Sequence, residues 1–221
     1  YDSLYREFNK KYRSDYSTSY LFSRKAPGEI YEYNPSSKII ICVREPKSRA
    51  YSHYMNNYGE GLDNRSFDVA ISNELDGLDG HCYLKYGLYC ASVKEYIDLF
   101  GNENVLILSA EDFFSNDPSW LVCKLASFLD IDEWEISAEL NKNSARVANG
   151  RFFRLMLGTP IIRRTARSVI GSQLTKYLRS ILYRNTFTKT ELESKETGMH
   201  LIGDYYEEDQ KRLNDLLRSV K

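Results

Sequence analysis

No apolar run in this chain approaches the roughly 20 residues needed to cross a bilayer as a helix, and no segment has the pattern of a secretory signal. Histidine is scarce: only His53, His81 and His200 are present. The four cysteines (Cys42, Cys82, Cys90, Cys123) form neither a CxxC pair nor a Cys/His ligand pattern, so no metal site is expected. Cys42 falls inside an apolar run and Cys123 on the apolar side of a helix, so both are expected as small buried hydrophobes. Cys82 and Cys90 could pair, but a reducing cytoplasm is the simpler expectation. Repeats, low-complexity tracts and linkers are all missing, so the 221 residues are read as one domain with a sizeable core.

The net charge of −1 hides an uneven distribution. Eleven Lys and Arg and no Asp or Glu lie between Lys142 and Lys189, so the rest of the chain carries −1 − 11 = −12. A segregated basic block suits an anionic neighbour: a donor, a polyanion or a lipid surface. It would equally serve as a basic face paired with the acidic remainder of the same chain. The block lacks a recognisable nucleic-acid-binding motif, so nucleic acid is not an expected partner. The expected location is cytoplasmic, or peripheral to a membrane if the block binds one.

The most informative stretch runs from Lys38 to Tyr54. The apolar run Ile39 to Val43 reads as a strand buried on both faces. It ends in Arg44, and Pro46 stands where a helix can begin, because its missing N–H would be unpaired there anyway. In open α/β sheets, ligands sit beyond the carboxyl ends of the strands, which is where Arg44 is delivered. Arg49, Ser52 and His53 follow at helical spacing and can share one face with the strand end. An arginine at a strand end before a helical serine suits a phosphate; an arginine paired with a carboxylate is the plainer alternative.

Along the chain, 4–12 reads as a polar helix, 15–21 as a Ser/Thr/Tyr loop and 27–33 as a short helix. The helix after the first strand covers 46–57, and Ser66 is suited to cap another over 66–74. Apolar spacing predicts a helix over 88–100, a Gly101-led turn and a second buried strand over 105–108. Asp117-Pro118 opens a helix to about Leu129, with Leu121, Leu125 and Phe128 on one side. Two amphipathic stretches follow, near 151–157 and 173–183, and 204–220 reads as a surface helix. Strands alternating with helices imply βαβ units and a mostly parallel sheet.

Arg44-Glu-Pro-Lys-Ser-Arg-Ala-Tyr-Ser52 resembles the 3′-phosphate-binding segment of sulfotransferases that use 3′-phosphoadenosine 5′-phosphosulfate (PAPS), the bacterial and heparan sulfate enzymes in particular. Lys85 to Tyr89, Val105 to Asp112, Asp117-Pro118 and Phe128-Leu129 follow in that family's usual order. The resemblance spans roughly Asp15 to Phe153. It implies a P-loop-NTPase-like α/β fold, with Arg44 and Ser52 holding the donor's 3′-phosphate. It also implies a late donor contact at Arg151, beyond Asn141 to Ser144, and 3′-phosphoadenosine 5′-phosphate as product. Asp15 stands five positions before Tyr20, as the acidic general base does in the family, although heparan-type members often carry glutamate there.

The family's first strand and its Gly/Thr-rich phosphosulfate loop with lysine have no counterpart, since no Lys-x-Gly-Thr-Thr segment occurs. The expectation is an N-terminally truncated sulfotransferase domain whose upstream loop completes the donor site. A kinase-like enzyme meets the same objection without the Arg44-to-Ser52 match. A noncatalytic anion-binding or membrane-associated module on the same fold is the alternative from a different class. His53 is expected as a packing residue, too far along the helix to reach the transferred group. Glu111 and Asp112, just past the second strand, could orient an acceptor or cap the next segment. The acceptor could be a carbohydrate, a lipid headgroup or a small molecule.

Overall fold

Two five-residue segments, apolar except for the closing Ser109, form parallel strands, β1 (Ile39–Val43) and β2 (Val105–Ser109), paired in register from Ile39↔Val105 to Val43↔Ser109. The structure is a computed structural model and describes residues 13–115, 117–134, 147–148, 183–184 and 189–219. Upstream of β1 lies α1 (Ala26–Tyr33), preceded by a 3-10 turn at Tyr20–Phe22. The crossover between the strands carries α2 (Pro46–Gly59), α3 (Phe67–Leu75), a 3-10 turn at Lys85–Gly87 and α4 (Cys90–Phe100). After β2 come α5 (Asp112–Ser115) and α6 (Pro118–Leu129). A two-residue antiparallel pair, β3 (Val147–Ala148) and β4 (Tyr183–Arg184), precedes α7 (Lys189–Ile202) and α8 (Glu207–Ser219).

Local signals account for most of these boundaries. Pro46 and Pro118 open α2 and α6, with Glu45 and Asp117 as their capping side chains. Gly101 ends α4 at φ 78 and ψ 156, a conformation essentially restricted to glycine. The expected helix over 4–12 and the stretches 151–157 and 173–183 lie outside the described residues, as does most of the basic block. The helix α7 was not expected from the sequence.

One core cluster joins β1 and β2 to α4 and α8 through Ile41, Val93, Tyr96, Phe100, Val105 and Leu213. A second, rich in tyrosine, packs Tyr54, Tyr58, Tyr83 and Tyr206 with Phe67 and Ile202. The two-face burial expected of β1 is not met. Ile41 is 5% exposed, but Ile40 is 41% exposed and Cys42 is exposed too. Side chains alternate along a strand, and the Ile41 cluster takes only one of the two sets. Cys123 is also exposed, because the buried line of α6 runs through Val122 and Ala126, roughly 100° from it. All four cysteines are free thiols, so Cys82 and Cys90 do not pair.

The C-terminal helices close helix ends that their own sequences leave open. Ser66, expected to cap α3, makes no cap bond; Ser194 of α7 instead accepts the Asp68 N–H at 3.3 Å and donates to Asp68 Oδ1 at 2.8 Å. At α4, the cap residue Tyr89 makes no side-chain capping bond. The buried Asp209 of α8 accepts the N–H groups of Tyr89 at 2.8 Å and Cys90 at 3.2 Å. The helix expected as a surface element over 204–220 therefore buries a carboxylate as well as Leu213.

Gly198 lets α7 approach α3. A Cβ there would overlap the ring of Phe67, which is 1% exposed. Gly198→Ala should therefore lower stability by about 1–3 kcal/mol through overpacking. That outweighs the roughly 1 kcal/mol by which alanine favours a helix over glycine. Urea unfolding of the two proteins checks it; a higher midpoint for the alanine variant would show that the helices can separate without loss.

Candidate functional site

The carboxyl ends of β1 and β2 lie side by side, and the Ala110 N–H extends their pairing by donating to the Val43 carbonyl at 2.7 Å. The next residue, Arg44, is exposed. Its backbone lies beside the buried Tyr89 hydroxyl and offsets part of the rise that burial imposes on the Tyr89 pKa. Glu45 then folds back over the start of α2, its carboxylate accepting the N–H groups of Lys47 at 2.9 Å and Ser48 at 2.7 Å. The first helix amides are thus occupied by the chain itself. An anion at this end must be held by side chains, and Arg44 and Ser52, both exposed, are the two the sequence pointed to.

Arg49 and His53 do not join them. Arg49 turns inward, its Nη2 donating to the Tyr83 carbonyl, and its charge lies near the Tyr206 hydroxyl. His53 packs edge-on against Tyr83 at 4.9 Å between ring centroids and parallel to Tyr86 at 6.1 Å. Burial, reinforced by the charge of Arg49, pushes its pKa down to about 4, so the ring is neutral at pH 7. This matches its expected role as a packing residue. The helical spacing was right, but Ser52 faces solvent while Arg49 and His53 face the 83–86 loop.

Asp15 lies in the exposed segment before α1. Tyr20, five positions on, donates its hydroxyl to Asp15 Oδ2 at 2.7 Å. The Tyr20 carbonyl accepts from the hydroxyl of Tyr96 on α4 at 3.1 Å. Phe22 continues the anchor, stacked on Tyr86 at 4.6 Å and 6.3 Å from the Tyr89 ring. The helix α4 and its cap residue Tyr89 thus anchor the segment that carries Asp15. Arg151 lies outside the described residues.

The Glu111 carboxylate reaches back to the exits of both strands. Its Oε1 accepts the Glu45 N–H at 3.1 Å and its Oε2 accepts from Ser109 Oγ at 2.6 Å. Desolvation would raise its pKa, but these bonds and the nearby Arg44 charge outweigh it and hold the carboxyl below its usual range.

A polar cluster elsewhere carried no sequence signal. Asp63 and Asp79 have side chains only 2% and 3% exposed, and both pair with Arg65, at 2.6 Å and 2.7 Å. His81 Nδ1 lies 2.6 Å from Asp79 Oδ1, and the Tyr83 hydroxyl donates to Asp63 Oδ2 at 3.0 Å. The acidic and imidazole atoms lie within 4.8 Å of one another, a spacing that could suit a cation. The Arg65 guanidinium already bonds both carboxylates, so the arrangement is an ion-pair network that ties the 63–65 turn before α3 to the 79–83 loop after it.

Residues 25–151, more than half of the chain, match the family model described as a sulfotransferase domain. That span contains Arg44 and Ser52, ends at Arg151 and begins after Asp15. Among curated proteins, the chain is similar to human heparan sulfate glucosamine 3-O-sulfotransferase 3B1, with 25% identity over 133 residues, 59% of this chain and 34% of that one. It is also similar to human heparan sulfate glucosamine 3-O-sulfotransferase 6, 30% identical over 115 residues, 51% of this chain and 33% of that one. The chain thus spans about a third of the length of these relatives. Among solved structures, a sulfotransferase from Alicyclobacillus acidocaldarius superposes with a TM-score of 0.52 at 25% identity, covering 81% of this chain and 70% of that one.

Proposed function

The chain belongs to the sulfotransferase family, and on that premise we propose that it transfers a sulfuryl group from PAPS to a hydroxyl or amine of a carbohydrate acceptor. The observation that carries this reading is the presentation of Arg44 and Ser52. They stand exposed at the carboxyl end of a parallel strand pair and along the helix that follows. The guanidinium can take a phosphate through two parallel N–H···O bonds, and the Ser52 hydroxyl adds a neutral donor. The carboxylates around Arg44 fit the reading, because those of Glu45 and Glu111 both accept backbone N–H groups.

Asp15 supplies the base. As the acceptor oxygen attacks sulfur, its proton passes to the Asp15 carboxylate and the bond from sulfur to the bridging oxygen breaks. This leaves 3′-phosphoadenosine 5′-phosphate and a sulfated acceptor. Tyr20, donating to Oδ2, orients the carboxylate. A carbohydrate is the acceptor class favoured because the similar human proteins are named as heparan sulfate glucosamine sulfotransferases.

Calorimetric titration with 3′-phosphoadenosine 5′-phosphate tests the donor assignment. Arg44→Ala should weaken binding at least about tenfold, since a charge-assisted contact contributes roughly 1.5–3 kcal/mol. Equal affinities would remove Arg44 from the site. Binding to anionic vesicles without binding of the bisphosphate would favour a noncatalytic, membrane-associated module on the same fold.

A further inference from the structure

The arginine of the anion site is exposed, yet the turn that carries it is tied from outside on both sides of it. The Val43 carbonyl accepts from Ala110 at 2.7 Å. The Glu45 N–H donates to Glu111 Oε1 at 3.1 Å. Glu111 is itself fixed. Its other oxygen accepts from Ser109 Oγ at 2.6 Å, and the same Oγ accepts the Glu111 N–H at 3.2 Å. This closed set of bonds joins the exit of β2 to the exit of β1.

We propose that Glu111 is a positioning residue for the anion site: by accepting the Glu45 N–H it sets the direction in which Arg44 leaves β1, and it acts without touching the ligand. The inference rests on the reading of Arg44 as a 3′-phosphate ligand. Its physical content is preorganisation. Arg44 has many rotamers to lose, and a turn free to rock would add backbone freedom to what binding must freeze. The same carboxylate places a negative charge near Arg44, which opposes an incoming anion. Geometry and charge therefore act in opposite directions, and two substitutions separate them. Glu111→Ala removes both. Glu111→Gln keeps a carbonyl oxygen for the Glu45 N–H, removes the charge, and reverses the bond with Ser109, whose Oγ then accepts from the amide NH2.

The experiment compares wild type, Glu111→Ala and Glu111→Gln by hydrogen exchange at the Glu45 amide and by calorimetric titration with 3′-phosphoadenosine 5′-phosphate. Circular dichroism establishes that each variant is folded. Glu111→Ala should speed Glu45 exchange about tenfold or more and weaken bisphosphate binding about fivefold. Glu111→Gln should keep the Glu45 protection and bind at least as tightly as wild type. Unchanged exchange in folded Glu111→Ala overturns the proposal, and so does unchanged affinity beside a binding wild type. An equal loss of affinity in both variants overturns it as well, because the charge and not the clamp would then be at work. If wild type fails to bind the bisphosphate, the assignment of Arg44 and Ser52 fails, while Glu45 exchange still decides whether Glu111 holds the turn.

Discussion

Sulfuryl transfer by an Asp15→Asn variant is expected to fall by about two to four orders of magnitude, the usual contribution of a positioned general base. Affinity for 3′-phosphoadenosine 5′-phosphate should stay within about twofold of wild type, because the exchange removes one proton acceptor and leaves the Arg44 turn intact. Asparagine is nearly isosteric and keeps an oxygen for the Tyr20 hydroxyl, now 2.7 Å from Oδ2, so the loop should hold its shape. Asp15→Glu should recover much of the activity, since it restores a carboxylate with one more methylene of reach. Transfer of labelled sulfuryl from PAPS to a heparan-type oligosaccharide measures all three proteins. Wild-type turnover in the asparagine variant would leave Asp15 as a loop residue that anchors Tyr20.

The largest effect on stability is expected at Arg65. Arg65→Ala should lower the unfolding free energy by about 3–5 kcal/mol, the range for removing one partner of a buried ion pair. The loss is large because two carboxylates depend on this guanidinium, and both are almost fully buried. Asp63 keeps the Tyr83 hydroxyl and Asp79 keeps His81. Neither keeps the positive charge shared between them. Chemical denaturation measures the loss, and a change below about 1 kcal/mol would mean that water replaces the guanidinium at little cost.

The same network sets a pH dependence. Desolvation acts to raise the pKa of each carboxyl, but in Asp63 the bonds from Arg65 and Tyr83 outweigh it. In Asp79 the bonds from His81 and Arg65 do so. Both groups therefore titrate lower in the folded chain than in the unfolded one. Their stabilisation is present above the unfolded value near 3.9 and fades as pH falls through the lower folded values. Arg65→Ala should flatten this acid limb, which separates it from a variant that merely loosens packing.

Much of the candidate site was legible because its signals are local. Arg44 to Ser52 lies in one continuous segment: an apolar run, an arginine, a proline and a helical serine. Pro46 and Pro118 marked helix starts, and the Gly101 turn separated α4 from β2. The register of Arg49, Ser52 and His53 was legible too. Which of them would face solvent was not, because that depends on where the 83–86 loop lies. Cys42 shows the same limit. An apolar run looks alike whether one face or both are covered, and only packing partners distinguish the two.

By itself, then, the sequence determined the strand–arginine–helix unit, the alternation of helix and strand, and the family to which the unit points. Those features depend on residues within a few positions of one another, where backbone geometry relates sequence spacing to spatial spacing. The tertiary structure alone decided what holds the unit in place. Asp209 closes the start of α4 from 120 positions away, and Ser194 serves α3 from 126. Glu111 grips the Arg44 turn from 66 positions away. Each bond joins a backbone N–H that local structure leaves unpaired to a side chain on a distant element. No spacing rule links two such positions until the chain has folded and brought them within hydrogen-bond distance.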